Sequence, residues 1–172
     1  MAYDVVGNAT LWFLHHHLWD LAHRPRFDET FSRAWDAYRG VNEAFADAVV
    51  AESPQGAVVL VQDYHLSLLA PLVRERRTDL RLVHFSHTPF GNTDMCRVLP
   101  RHARIDLLEG LAANHACGFH TARWAETFTR SCHDTIGHSP HAFVSPLAAD
   151  PADQTAKASG GDGFEDFPAA MD

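Results

Sequence analysis

Two residues stand where chemistry is easiest to place: Asp63 in Val61-Gln62-Asp63-Tyr64-His65-Leu66, and His87 in Phe85-Ser86-His87-Thr88-Pro89-Phe90. A carboxylate accepts hydrogen bonds from hydroxyl groups, and an imidazole donates to a sugar oxygen or a charged leaving group. Tyr3 and Trp12 add aromatic faces of the kind that stack on a sugar ring, with polar tips that hydrogen-bond it. Position alone leaves a plainer account open. Asp63 then caps the following helix, His87 is a satisfied loop residue, and Trp12 belongs to the core.

The elements that must hold these residues are legible around them. Ala57 to Val61 and Leu80 to Phe85 are apolar runs, the first β-branched at Val58, Val59 and Val61. Such a run reads as a strand covered on both faces, as in a parallel sheet. Between them, Leu66 to Arg77 reads as a helix, with Pro71 tolerable only near its first turn. Strand, helix, strand in about thirty residues is a βαβ unit. Asp63 and His87 would then lie at the carboxyl edge of neighbouring strands, where open α/β sheets bind ligands.

Phe27 to Ala51 predicts a helix capped by Asp28 and ended by Ser53-Pro54, with Trp35, Tyr38, Asn42, Phe45 and Val49 along one stripe. Ile105 to Leu111 predicts another helix, and Thr121 caps a further one running through Ser131. Ala116 to Phe119 and Ala142 to Val144 predict short strands. Thr10 to Leu21, with His15, His16 and His17 in its middle, fits a buried strand followed by a short helix, but its periodicity does not decide. The domain reading is a Rossmann-like unit over 1–150 and a disordered or linker tail over 151–172, Gly-rich around Gly160-Gly161.

The chain has 172 residues, 46% of them hydrophobic, and a formal charge of −8. The acidic balance argues against a nucleic-acid partner, and no run is apolar and long enough to span a bilayer. Arg74-Glu75-Arg76-Arg77 reads as a solvated helix end. Three unpaired cysteines and no basic, apolar leader after Met1 fit a reducing, cytoplasmic setting. Thirteen histidines are scattered without a zinc motif, so no metal is expected. Cys96 reads as a small buried residue, and no glycine-rich loop supports a nucleotide cofactor.

Several motifs in order resemble the trehalose-6-phosphate synthase family, retaining glycosyltransferases of the two-domain GT-B type. Tyr3, Asn8-Ala9, Leu11-Trp12 and His16 resemble its aromatic pair and W-x-x-x-H. Trp35, Tyr38, Val41-Asn42 and Phe45-Ala46 match W-x-x-Y-x-x-V-N-x-x-F-A. Val61 to Leu66 is similar to (H/Q)DYHL, and Phe85 to Phe90 to F-x-H-x-P-(F/W). Leu99-Pro100 and Gly118-Phe119-His120-Thr121 stand where the family has LP and GF-x-T. His17-Leu18 departs from the usual Tyr-Arg, and Ser86 and Gly91 to Met95 also vary.

The resemblance spans Tyr3 to Pro146 and implies the following. The fold is α/β, the N-terminal half of a GT-B enzyme. Tyr3 and Trp12 line a glucose-6-phosphate acceptor pocket, and Asp63 binds acceptor hydroxyls. His87 contacts the sugar of a UDP-, GDP- or ADP-glucose donor near the reacting carbon. Asp63 and His87 are thus the catalytic pair, no protein nucleophile is assigned, and no cofactor is needed beyond the donor. The family's phosphate-gripping glycine loop would precede Met1, and its second domain would follow roughly Asp153. The chain is therefore expected to be a piece of a larger parent, not an active enzyme alone, and a homo-oligomer is an expectation for that parent only. The alternatives are a pseudo-glycosyltransferase of the validoxylamine-phosphate synthase type and a non-catalytic interaction module.

Overall fold

A computed structural model describes residues 1–18 and 26–147. The tail reading over 151–172, the end of the 1–150 domain and the end of the Thr10–Leu21 stretch lie outside those residues. Four strands form one parallel sheet in the order β1-β2-β3-β4: β1 Val58–Gln62, β2 Arg81–Ser86, β3 Ala116–Phe119 and β4 Ala142–Val144. The register pairs Gln62 with Phe85, Phe85 with Gly118 and Gly118 with Phe143.

The chain starts differently from the expected strand. Ala2–Trp12 is a wide, π-type helix that tightens into α1, Phe13–His15. Val6, Leu11 and Leu14 are buried and hold it to the core, and Thr10 Oγ1 donates to Val5 O at 2.7 Å. Its apolar residues recur at neither strand nor ordinary helix spacing, which is why the pattern is mute.

Helix α2, Glu29–Glu52, forms as expected. Asp28 Oδ1 accepts from Thr30 N at 2.9 Å and Phe31 N at 3.1 Å, satisfying two of the free amides of its first turn. The buried stripe runs Phe31, Ala34, Trp35, Tyr38, Asn42, Ala46. Phe45, assigned to it above, is 51% exposed. It lies one step around the helix, and Ala46 takes its place.

Between β1 and β2, a 3-10 turn at Tyr64–Leu66 leads into the short α3, Leu69–Arg74, which accommodates Pro71 in its first turn. Helix α4, Thr93–Val98, occupies a stretch read as a variable loop, with Asn92 Oδ1 accepting from Met95 N at 2.9 Å. Helix α5 is Arg101–Ala112. Helix α6 is Ala122–Ile136, with Thr121 accepting from Trp124 N at 3.2 Å.

The arginine run after α3 is more than a solvated end. Arg77 donates to Asp79 and to the carbonyls of Val50 and Ser53, Arg76 pairs with Asp47, and Arg74 donates to Ala113 O. The Arg76 and Arg77 bonds tie the end of α2 to the turn before β2, and the Arg74 bond ties α3 to the end of α5.

One side of the sheet carries the core. Val61, Leu82, His84, Ser86, Cys117 and Phe119 are buried there against helices. The other side is open: Val58 is 60% and Leu60 66% exposed. The expectation that β1 is covered on both faces therefore does not hold among the described residues. Its alternate side chains point to the opposite face of the sheet from the core.

Candidate functional site

The parallel ladder positions the site. One residue beyond the strands, the register Ser86–Phe119–Val144 continues to His87, His120 and Ser145. Neighbouring parallel strands advance in step, so residues that follow matched partners emerge side by side. The structure brings Asp63 and His87 together as expected: Asp63 Oδ1 accepts from His87 N at 2.8 Å. Asp63 has φ of +55° with ψ of −174°, outside the left-handed helical well that Asp readily enters and close to a region used almost only by glycine. That turn swings the chain out of β1 and lays the carboxylate across the end of β2. Strained backbone of this kind costs on the order of 1–3 kcal/mol and persists where surrounding structure over-determines it.

The over-determination is visible in α2. Tyr38 Oη donates to Tyr64 O at 2.5 Å and accepts from Ser67 N at 3.2 Å. Asn42 Oδ1 accepts from Leu68 N at 2.9 Å, while its amide donates to Tyr38 O at 2.9 Å. Burial pushes the Tyr38 phenol up to about 12, so it stays a neutral donor. Tyr38 and Asn42 thus connect the helix motif to the Asp63-Tyr64-His65-Leu66 turn: they hold the backbone that Asp63 departs from.

Around His87 the side chains form a line. His87 Nε2 lies 2.6 Å from Gln62 Oε1, His87 Nδ1 lies 3.3 Å from His120 Nε2, and His120 Nδ1 lies 3.2 Å from Ser145 O. Phe85 packs under both imidazoles, with ring centroids 4.9 Å from His87 and 5.0 Å from His120. Gly118 makes room: a Cβ there would sit 2.4 Å from both the Phe85 and Phe143 rings. His120 was passed over in the sequence as one of many scattered histidines. The signal that finds it is the one that found Asp63 and His87, namely a polar residue immediately after a predicted strand.

On the buried side of β2, His84 is held neutral, its pKa lowered to about 4 chiefly by burial, with the nearby Asp63 carboxylate opposing and His87 adding to the shift. His15 is lowered further, to about 3, mainly by burial and then by His16, His84 and His17. His15 Nδ1 accepts from Gly91 N at 3.1 Å. Gly91 is needed at that crossing, because a Cβ would lie 2.8 Å from the Leu14 side chain and 3.2 Å from Leu14 O.

The aromatic pair divides. The Tyr3 ring stacks on His65 at 5.4 Å, and Tyr3, Gly7, Tyr38, Val41, Phe45 and His65 line an open apolar cleft of about 340 Å³. Tyr3 is thus one ring away from the turn after Asp63. Trp12 stacks instead on His16 at 4.0 Å and meets Phe13 edge-on at 4.9 Å. Among the described residues, no hydrogen bond or ring contact joins Trp12 to Asp63 or His87. No group of three or more His, Cys, Asp or Glu among them is arranged to hold a metal ion. No helix among them is long and apolar enough to cross a membrane. Cys96 and Cys117 are buried and their thiols are pushed up to about 12 by burial, which leaves them unreactive.

The arrangement suits a polyhydroxylated ligand: an anionic acceptor, two imidazoles and an amide at one sheet edge, with an aromatic cleft nearby. Known proteins resemble the chain over most of its length. A bifunctional trehalose-6-phosphate synthase/phosphatase of Thermoproteus tenax is 38% identical over 136 residues, 79% of this chain and 18% of that protein. A solved E. coli structure described as bound with UDP-2-fluoro glucose superposes with a TM-score of 0.77 at 26% identity, over 93% of this chain and 36% of that one. An alpha,alpha-trehalose-phosphate synthase (UDP-forming) from Burkholderia xenovorans, solved in complex with glucose-6-phosphate, gives 0.74 at 25% identity over 94% and 39%. The chain therefore spans well under half the length of each. Its residues 1–160 match the family profile throughout, and with the parallel sheet and its motif-bearing edge this places the chain in glycosyltransferase family 20.

Proposed function

We propose that this chain forms the acceptor-side wall of a trehalose-6-phosphate synthase site, where glucose passes from UDP-glucose to glucose-6-phosphate with retention at the anomeric carbon. The choice of UDP rests on the Burkholderia relative's being UDP-forming and on the UDP sugar in the E. coli structure. The observation that carries the reading is the pinning of Asp63 across His87 N–H at 2.8 Å. With Oδ1 so engaged, Oδ2 is the oxygen offered to sugar hydroxyls.

In the transfer, the bond from the anomeric carbon to the donor phosphate oxygen breaks and one to the acceptor hydroxyl oxygen forms. The acceptor proton goes to the departing phosphate on the same face. Asp63 orients the acceptor, and His87 supports the donor sugar near the reacting carbon. Catalysis then rests on positioning and charge stabilisation. Tyr3 offers its exposed ring to the acceptor, and Trp12 closes the wall beyond it. The setting is the cytoplasm, in keeping with three buried free thiols.

Calorimetric titration of the chain with glucose-6-phosphate tests the acceptor half directly. Binding that weakens about tenfold in Asp63→Asn, or ~1.4 kcal/mol, is the expected result. Asn keeps the size and shape of the side chain, so a folded Asp63→Asn chain with unchanged affinity would remove Asp63 from the acceptor site.

A further inference from the structure

The line Gln62–His87–His120–Ser145 admits few arrangements of protons. A backbone carbonyl only accepts, so His120 Nδ1, 3.2 Å from Ser145 O, must carry hydrogen. A neutral His120 then has a bare Nε2, which can only accept. His87 Nδ1, 3.3 Å away, must therefore carry the hydrogen between the rings. That leaves His87 Nε2, 2.6 Å from the Gln62 side-chain amide. Two states satisfy the last contact. With Gln62 Oε1 turned toward the ring, Nε2 bears a proton and the pair of imidazoles is cationic. With the amide turned over, its N–H donates to a bare Nε2 and both rings are neutral. Hydrogen stays on His87 Nδ1 in both; a third state, with the charge on His120 and its Nε2–H donating to a bare His87 Nδ1, is the one the proposal excludes.

We propose that His120 is the positioning residue that fixes the tautomer of His87, holding hydrogen on Nδ1 and leaving Nε2 as the nitrogen that exchanges a proton with the cleft. A histidine's free nitrogen is set by the hydrogen bond its other nitrogen makes. Here the ordering runs back from the carbonyl after β4, through His120 after β3, to His87 after β2. Gln62, at the end of β1, is the movable member and turns over as Nε2 gains or loses its proton. The other charged or titratable groups near the pair are Asp63, whose carboxylate is held on the His87 backbone amide, and the buried His84 beneath. Neither forms a hydrogen bond with the His87 ring.

The consequence for the site rests on the reading of His87 as a donor-side residue. A bare Nε2 accepts from a sugar hydroxyl once Gln62 swings aside, and a protonated Nε2 donates to a sugar oxygen or a phosphate. His120 sets which nitrogen does this without touching the ligand.

The test uses the free protein, so its outcome does not depend on whether the chain transfers glucose. Long-range proton–nitrogen correlation spectra of the nitrogen-15-labelled chain, recorded near neutral pH and assigned with His87→Gln, report which imidazole nitrogens carry hydrogen. Expected are a protonated Nδ1 on both His87 and His120. In His120→Phe, which keeps the aromatic contact with Phe85 but cannot accept, His87 moves its hydrogen to Nε2. In His120→Gln, whose amide oxygen can accept in the same place, the wild-type pattern of His87 returns. A bare Nδ1 on His87 in the wild-type chain overturns the proposal without any variant. So does an unchanged His87 pattern in a folded His120→Phe chain.

Discussion

The sheet-edge residues and the N-terminal aromatic residues were assigned to one pocket, yet they rest on different supports. Asp63, His87 and His120 follow three neighbouring parallel strands, and the ladder carries the position of one to the next. Tyr3 and Trp12 belong to one wide helix with no such partner. Each is placed by whatever ring lies against it, His65 for Tyr3 and His16 for Trp12. A hydrogen-bonded ladder transmits geometry between segments far apart in sequence, whereas a helical surface must find each contact separately. The edge trio converges for that reason, and the aromatic pair separates.

Acid should strain both supports and show which gives first. His15 anchors the N-terminal helix and His84 lies within β2; both are buried and neutral, with pKa values lowered to about 3 and about 4. The unfolded chain takes up protons below about pH 6.5 while the folded chain does not, so these groups' contribution is complete above that pH and lost as pH falls toward the folded values. Each histidine withdraws on the order of 1.4 kcal/mol per pH unit in that window, several kcal/mol for the pair by pH 4.5. Urea unfolding at a series of pH values reads the loss. Amide exchange should find the Ala2–Trp12 segment opening before β2, because the shift at His15 is the larger.

Gly118→Ala attacks the sheet edge alone. Its Cβ would press on Phe85 and Phe143, forcing one neighbouring strand aside. The expected cost is about 1–3 kcal/mol by thermal melting. The His87–His120 coupling should be lost while the Tyr3–His65 stacking persists. Equal disturbance of both regions would mean that they are not independently supported.

The smallest effects compare the aromatic residues themselves. Trp12→Ala removes a partly buried ring from the core margin and should destabilise by about 1–2 kcal/mol. Tyr3 is 61% exposed, so Tyr3→Ala should stay within roughly 0.5 kcal/mol of the parent. If Tyr3→Ala proves the costlier, the cleft it lines is structural and its place in an acceptor pocket falls.

Much of the framework was readable because local rules agreed with the fold. Asp28 and Thr121 are side chains that cap helices wherever they are placed, and both do so here. The strands after Ala116 and Ala142 were located by short apolar runs bounded by turn residues. Helix α4 was missed because its 6 residues are too few to show a periodic pattern, although Asn92 stands ready as its cap. Phe45 was misplaced because a spacing of three or four residues leaves two neighbouring helix positions open, and only packing chose Ala46.

The sequence by itself located the strand ends to within one residue, and with them the shared edge at which Asp63, His87 and His120 emerge, because apolar runs and turn chemistry are local. Only the tertiary structure decided that His87 and His120 would meet, that Tyr38 and Asn42 would brace the turn after Asp63, and that Trp12 would turn to His16. Those outcomes depend on register between strands and on which helix face reaches which turn. Both are set by closure of the whole core, and no stretch of the chain encodes them alone.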